Sequence, residues 1–136
     1  MPNPPTPVLG LTVPTVGADV NAWGGELNAN LAAIDTLLGS ADVRVINSNT
    51  VLSLTRPLTI LLVTSGTGGV TITLPAPVAG QSRIVMVKKV DQGIGAITFV
   101  SASGNIEGGP NYVIGNYLQT AILAPDAANW WAFAET

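Results

Sequence analysis

The sequence has no histidine and no cysteine, and few of its side chains carry charge. It therefore has no histidine base, no cysteine nucleophile, no disulfide framework and no zinc site built on imidazole or thiolate. Its eight carboxylates are spread singly along the chain, so no local spacing pairs two of them as a glycosidase requires. We expect no catalytic residues, no metal and no cofactor, and hence a protein that is not an enzyme.

Basic residues are also scarce, with five lysines and arginines and a net charge of −3. Nucleic-acid binding needs a basic field that displaces counterions from phosphates, so it is not expected here. Only 10% of the residues are charged, against about 25% in ordinary soluble domains, while 47% are apolar. This balance favours a surface that packs against copies of the chain or against a partner. An exterior rich in Thr, Ser, Asn and Gln is the alternative.

Two kinds of membrane-related segment are not expected. The N-terminus reads Met-Pro-Asn-Pro-Pro and has neither the basic nor the apolar region of a signal peptide. The uncharged stretch from Pro57 to Ser82 is long enough to suggest a membrane span. Its glycines and prolines would leave backbone polar groups unpaired in lipid, so the stretch predicts strands and turns instead.

The chain divides into three zones by composition. Residues 1–17 hold five of the ten prolines and predict an extended arm that docks onto another protein. Residues 18–40 predict an oligomerisation or attachment helix. Residues 41–136 are dense in Val, Ile and Thr and predict a β domain.

The helix is predicted from Asp19 as N-cap to Leu38, with Gly39 as its C-terminal stop. Its apolar residues recur at heptad spacing, which allows two interpretations: packing on the chain's own β domain, or a short bundle with sister helices. In the second, Asn30 at a seam position helps to fix register and copy number. The candidate interface residues are Val20, Trp23, Leu27, Asn30, Leu31, Ile34, Leu37 and Leu38.

The third zone alternates apolar and polar residues in short segments between turn sequences, which predicts a compact antiparallel β-sandwich or barrel-like domain. The largely apolar segment Leu58–Thr64 is typical of a central strand or of one under a subunit contact. The glycine-rich turn Ser65–Gly69 predicts a hairpin and lacks the features of a phosphate loop. The predicted strands are Val43–Ile46, Val51–Thr55, Leu58–Thr64, Val70–Leu74, Arg83–Val90, Ala96–Ser101, Asn116–Ala124 and Asn129–Ala134.

Lysine, tryptophan and tyrosine side chains are the candidate functional groups of the third zone. Lys88 and Lys89 lie on opposite faces of one strand, and we expect at least one to be a solvated or edge-protecting charge. Trp130 and Trp131 are likewise expected to face opposite ways, one in the core and the other exposed or at an interface. An exposed aromatic ring near a loop can stack on a sugar, although packing is the more common role of such residues. The candidate receptor contacts are Tyr112, Tyr117 and Trp130.

The segment from Leu11 to Asp35 follows the pattern P-x-x-G-x-D-x-x-x-W-G-x-x-L-N-x-N-x-x-x-I-D. The residues that define this pattern are Pro14, Gly17, Asp19, Trp23, Gly24, Leu27, Asn28, Asn30, Ile34 and Asp35. In these residues the segment resembles a sequence that opens short bacteriophage fibre or tail proteins.

A looser resemblance to the C-terminal β module of such fibres follows in four pieces. They are Thr71–Pro75, Val87–Asp91, Asn105–Gly108 and Asp126–Trp130. The more usual form has Asp where this chain has Glu107, and a turn glycine where it has Ala127-Ala128.

The resemblance implies a homotrimeric virion subunit, made in the host cytoplasm, with its N-terminal segment attached to other virion proteins and its β module projecting outward. A tail or baseplate fibre that contacts a host-surface glycan is the first hypothesis. A head fibre or capsid decoration protein is the alternative, and a free carbohydrate-binding module is a further one. The candidate virion-docking residues are Pro4, Pro5, Pro7, Leu9, Leu11 and Pro14.

Overall fold

The computed structural model describes residue 11 and residues 23–39, 41–79 and 83–135. The chain separates into two compact units, Met1–Ser40 and Ala41–Thr136. The predicted division of the first 40 residues into an arm and an attachment segment stays a prediction.

The first unit contains helix α1, Trp23–Leu38. The helix ends at Leu38, next to Gly39, as the sequence predicts; the predicted N-terminal turn with Asp19 lies outside the described residues. Leu27 and Leu31, one turn apart on the same face, are 47% and 54% exposed. A helix with two glycines in its first turn and apolar side chains open to solvent gains little stability from its own sequence.

The described part of the second unit is formed by β-strands, so the prediction of a mainly β domain is confirmed. Alternating apolar and polar residues place most strands where the sequence predicts them. The strands are β1 (Asp42–Ile46), β2 (Thr50–Val51), β3 (Leu58–Val63), β4 (Val70–Leu74), β5 (Ile84–Lys89), β6 (Ile97–Ser101), β7 (Asn111–Ile114), β8 (Thr120–Pro125) and β9 (Trp130–Glu135).

The strands form two sheets, and the chain passes between them repeatedly. One sheet has the order β1-β3-β5-β8-β9 and the other β2-β4-β6-β7. From β1 to β6 the strands alternate between the two sheets. Each successive pair, β1 with β2, β3 with β4 and β5 with β6, forms one coil of the chain, and the three coils stack on one another. Within each sheet the stacked strands run parallel. Strands β7, β8 and β9 then close the stack with antiparallel pairs.

The predicted antiparallel arrangement is therefore wrong for the first six strands. Four of the seven strand pairs in the described residues are parallel. The turn Ser65–Gly69 is also not a hairpin, because it joins β3 in one sheet to β4 in the other. Alternation of side chains is the same in parallel and antiparallel strands, so the pattern locates strands without giving their direction.

The core lies between the inward faces of the two sheets. Leu61, Val63, Val85 and Leu123 of the first sheet and Phe99 of the second are fully buried within one apolar cluster. Burying a large apolar side chain contributes about 1.5–3 kcal/mol, so this cluster is the main source of stability of the β unit.

Candidate functional site

An ion pair between a fully buried lysine and a partly exposed aspartate occupies the corner that follows β5. Lys89 has no exposed surface, and its ammonium lies 2.8 Å from Oδ1 of Asp91. The same ammonium donates to the carbonyl oxygens of Asp91 at 3.0 Å and Gly93 at 2.7 Å. All three bonds go to the turn directly after the strand, so Lys89 fixes the shape of that turn.

Asp91 also holds the preceding coil. Its carboxylate accepts from the backbone N–H groups of Ser65 at 3.1 Å and Gly66 at 2.8 Å. Donation by Lys89, followed by that of Ser65, lowers the pKa of the Asp91 carboxyl well below its usual range. The carboxylate therefore links two stacked corners of the β unit.

Ser65 and Lys89 are brought together on Asp91, but their surroundings do not suit nucleophilic catalysis. The Ser65 hydroxyl donates to the carbonyl of Gly95 at 2.6 Å, and Ser65 is 5% exposed. The Lys89 Nζ makes three hydrogen bonds, all of them to Asp91 and Gly93, so the bonds of this amine are used within the turn. The prediction that the two lysines face opposite ways is confirmed, since Lys88 is half-buried on the other face of β5.

Two of the four C-terminal segments singled out in the sequence, Asn105–Gly108 and Asp126–Trp130, meet at a second joint. The backbone N–H of Trp130 donates to the carbonyl of Asn105 at 2.9 Å, and that of Glu107 donates to the carbonyl of Trp130 at 3.0 Å. The Trp130 indole N–H donates to the carbonyl of Pro75, the last residue of a third such segment, at 3.0 Å. The Glu107 carboxylate accepts from the backbone N–H of Ala132 at 2.5 Å. These segments hold one another, so their polar groups serve the fold.

The turn between β8 and β9 needs no glycine. The Asp126 carboxylate accepts from the N–H groups of Ala128 at 2.6 Å and Asn129 at 2.7 Å, and from the Trp131 indole N–H at 2.8 Å. These bonds, that of Ala128 first, lower the pKa of the Asp126 carboxyl. Gly104, with a φ of 75°, lies where a Cβ would collide with the Ala128 carbonyl. The side chain of Asp126 thus stabilises a turn that contains no glycine.

The candidate receptor contacts are in three different environments. Tyr117 is 49% exposed, whereas Tyr112 is half-buried with its ring 6.4 Å from that of Phe99. Trp130 is 1% exposed, so its assignment as a receptor contact is wrong, and it is a core residue. Its neighbour Trp131, 37% exposed, is the outward member of the pair. The alternation of Trp130 and Ala132 against Trp131 and Phe133 was the signal available in the sequence, but it does not say which set faces the core.

The candidate residues of the first unit are only partly described. Leu27 and Leu31 are exposed, Asn30 and Ile34 are half-buried, and Trp23, Leu37 and Leu38 are helical. Val20 and the docking candidates Pro4, Pro5, Pro7, Leu9 and Pro14 lie outside the described residues, while Leu11 is half-buried. Their roles stay predictions.

A cleft of about 280 Å³ lies beside the joint around Trp130. Its lining includes Leu52, Leu54, Pro75 and Pro77, and its one charged side chain among the described residues is Arg83. The Arg83 guanidinium donates to the carbonyl of Leu54, so the charge is used in the wall of the cleft. The cleft is therefore apolar and has no acid–base pair in its described lining.

Within the described ranges, no three Asp or Glu side chains come together as a metal site would require. No helix in these ranges has the length and apolar character to cross a membrane.

Comparison with known proteins adds no relative to this picture. No protein-family model matches the chain, and no curated protein sequence matches it.

Proposed function

We propose that this chain is a structural, non-enzymatic subunit of a bacteriophage virion: a short homotrimeric fibre of the tail or baseplate, attached by its N-terminal segment. The β unit then projects from the virion and meets the host surface. The partners are other copies of the chain, other virion proteins and a host-surface glycan.

The observation that supports this role best is the joint around Trp130. Three of the segments that resemble fibre proteins meet there, and the hydrogen bonds of Trp130 and Glu107 link them to one another. Segments whose polar groups bond to one another in this way form a rigid scaffold. A catalytic motif would instead leave polar groups facing an open site.

The alternative is a head fibre or a capsid decoration protein, since the same architecture would suit attachment to the head. A carbohydrate-binding module is favoured by one observation, the outward ring of Trp131, whose indole N–H is fixed by Asp126. A pre-oriented, partly exposed indole suits stacking on a sugar.

The test is to purify phage particles from infected cells that express the gene and to determine which proteins the particles contain. Mass spectrometry should detect the chain in the particles, and gold-labelled antibodies against the β unit should decorate the tail end. Labelling over the head would favour the alternative attachment point. Absence of the chain from particles that contain all other structural proteins would contradict a virion role.

A further inference from the structure

The five-stranded sheet turns one face to the core and one face away from it, and we call the second its outer face. Across this face the register places Val43 opposite Ile60, Ile60 opposite Met86, and Met86 opposite Ile122. The row crosses four strands without a polar side chain. Cross-strand rows of this kind are normally found against another layer of protein.

The neighbouring positions on the outer face continue the pattern. Leu58 lies opposite Ile84, and Ala124 lies opposite Trp131. Among the strand residues whose side chains the structure describes, the face has one charged member, Lys88, which is half-buried. An apolar face that spans all five strands is unusual for a surface that stays in water.

The four-stranded sheet provides a comparison inside the same molecule. Its outward row places Thr71 opposite Thr98 and Thr98 opposite Val113, and Thr73 lies opposite Val100. Threonine alternating with valine is the composition of a solvated sheet face. The same core thus has one outer face suited to water and one suited to contact.

The exposed part of the apolar face is large enough for a protein interface. Six large apolar side chains on this face are exposed, and their exposed fractions range from 37% at Trp131 to 74% at Val45. A fully exposed large side chain has an accessible surface of roughly 150–250 Å², so the exposed fractions of these six add up to an accessible area of about 600 Å². A standard interface buries about 800 Å² on each partner, and half-buried neighbours such as Ile60 make up much of the difference. The six are Val43, Val45, Ile84, Met86, Trp131 and Phe133.

We propose that the outer face of the five-stranded sheet is the surface through which copies of this chain pack against one another. The inference rests on the proposed homotrimer and locates its main contact in the β unit, whereas the candidate interface residues named from the sequence lie on the helix. A second copy is the partner that fits, because a face with one charge offers no electrostatic recognition to a charged protein or ligand. In a trimer, each copy turns this face toward the three-fold axis, where it meets two neighbours whose faces are equally large and equally uncharged.

The experiment compares two matched substitutions in the full chain. Met86→Glu puts a carboxylate at the centre of the apolar face, and Val113→Glu puts one on the outer face of the four-stranded sheet, at 38% and 47% exposure. Light scattering across a hundredfold range of concentration gives the mass, and circular dichroism verifies folding. We expect Met86→Glu to be monomeric at concentrations where the wild type and Val113→Glu are assembled.

A third variant keeps the test decisive if Met86→Glu does not fold. Val45 lies on the edge strand β1 and is 74% exposed, so a single chain should tolerate a charge there. We expect Val45→Glu to dissociate the assembly as well. If the wild type is assembled and the folded face variants keep its mass, this inference is overturned while the homotrimer stands. A wild type that is monomeric throughout overturns both.

Discussion

At the scale of single residues, two carboxylates at turns link the stability of the β unit to pH. Asp91 and Asp126 both have a pKa lowered by donated hydrogen bonds. A carboxyl whose pKa is lower in the folded than in the unfolded chain stabilises the fold above its unfolded pKa, near 3.9. That contribution is lost as the pH falls further, through the folded pKa.

We predict that the wild type loses stability steeply below about pH 4 and that Asp91→Asn has a shallower dependence there. Urea denaturation at a series of pH values from 2 to 7 measures this. Asp35→Asn, which removes an exposed carboxylate from the helix, is the control and should follow the wild type. Equal slopes for wild type and Asp91→Asn would contradict the role of Asp91 as the link between two corners.

The tryptophan pair shows how far residue-level prediction extends. Alternation along a strand correctly separates Trp130 from Trp131, but it does not decide which of them faces inward. That choice is made by the pairing of β9 with β8, where Ala132 lies opposite the buried Leu123. A long-range pairing of this kind has no signature in the sequence of β9 itself.

At the scale of elements, the stacked corners depend on the absence of a side chain at Gly95. A Cβ at this position would lie 2.8 Å from the Cα of Gly69 in the preceding corner, and still closer to its nitrogen. The three nearest atoms are all backbone atoms of Gly66 and Gly69, which cannot rotate out of the way as a flexible side chain can. The backbone N–H of Gly95 also donates to the carbonyl of Gly66 at 2.9 Å, which holds the two corners at this spacing.

We predict that Gly95→Ala lowers the free energy of unfolding by about 1–3 kcal/mol, the usual cost of overpacking. Gly68→Ala is the matched control, because a Cβ there meets nothing within 4 Å, and its effect should be within about 0.5 kcal/mol. Chemical denaturation of both variants gives the comparison. Equal effects would show that the corners are not stacked as described.

The strands were largely predictable and their connections were not. Register pairs lie 17 residues apart between Val43 and Ile60 but 26 apart between Ile60 and Met86. Coils of unequal length produce no fixed period, so the sequence gives no sign of a stacked repeat. Strand β7 was missed because the turn residues before it suggested a loop; its pairing with β6 makes it a strand.

The helix prediction has its own test at this scale. If sister helices form a seam, Leu27→Asp should dissociate the assembly, because Leu27 and Leu31 form the exposed apolar part of α1. Ala29→Asp, on the opposite side of the helix, should have no effect on the mass. An assembly that survives Leu27→Asp would show that the helix is not its seam.

At the scale of the whole molecule, the scarcity of charge and the apolar outer face of the sheet have a common explanation. Two of the few basic side chains are used within the β unit, Lys89 with Asp91 and Arg44 with Asp42. Few charged side chains therefore remain for the surface, and a large apolar area is exposed. Self-association removes that area from water, and this is the central claim of the proposed fibre subunit.

The mass of the full-length chain in solution tests that claim most directly. The chain has a mass of 13.9 kDa, and light scattering at micromolar concentration should give three times this value, unchanged on dilution over the range in which the fold is stable. Assembly through an apolar face should also persist at high salt, because it does not depend on ion pairs. A folded species of 13.9 kDa at every concentration and salt would contradict the claim.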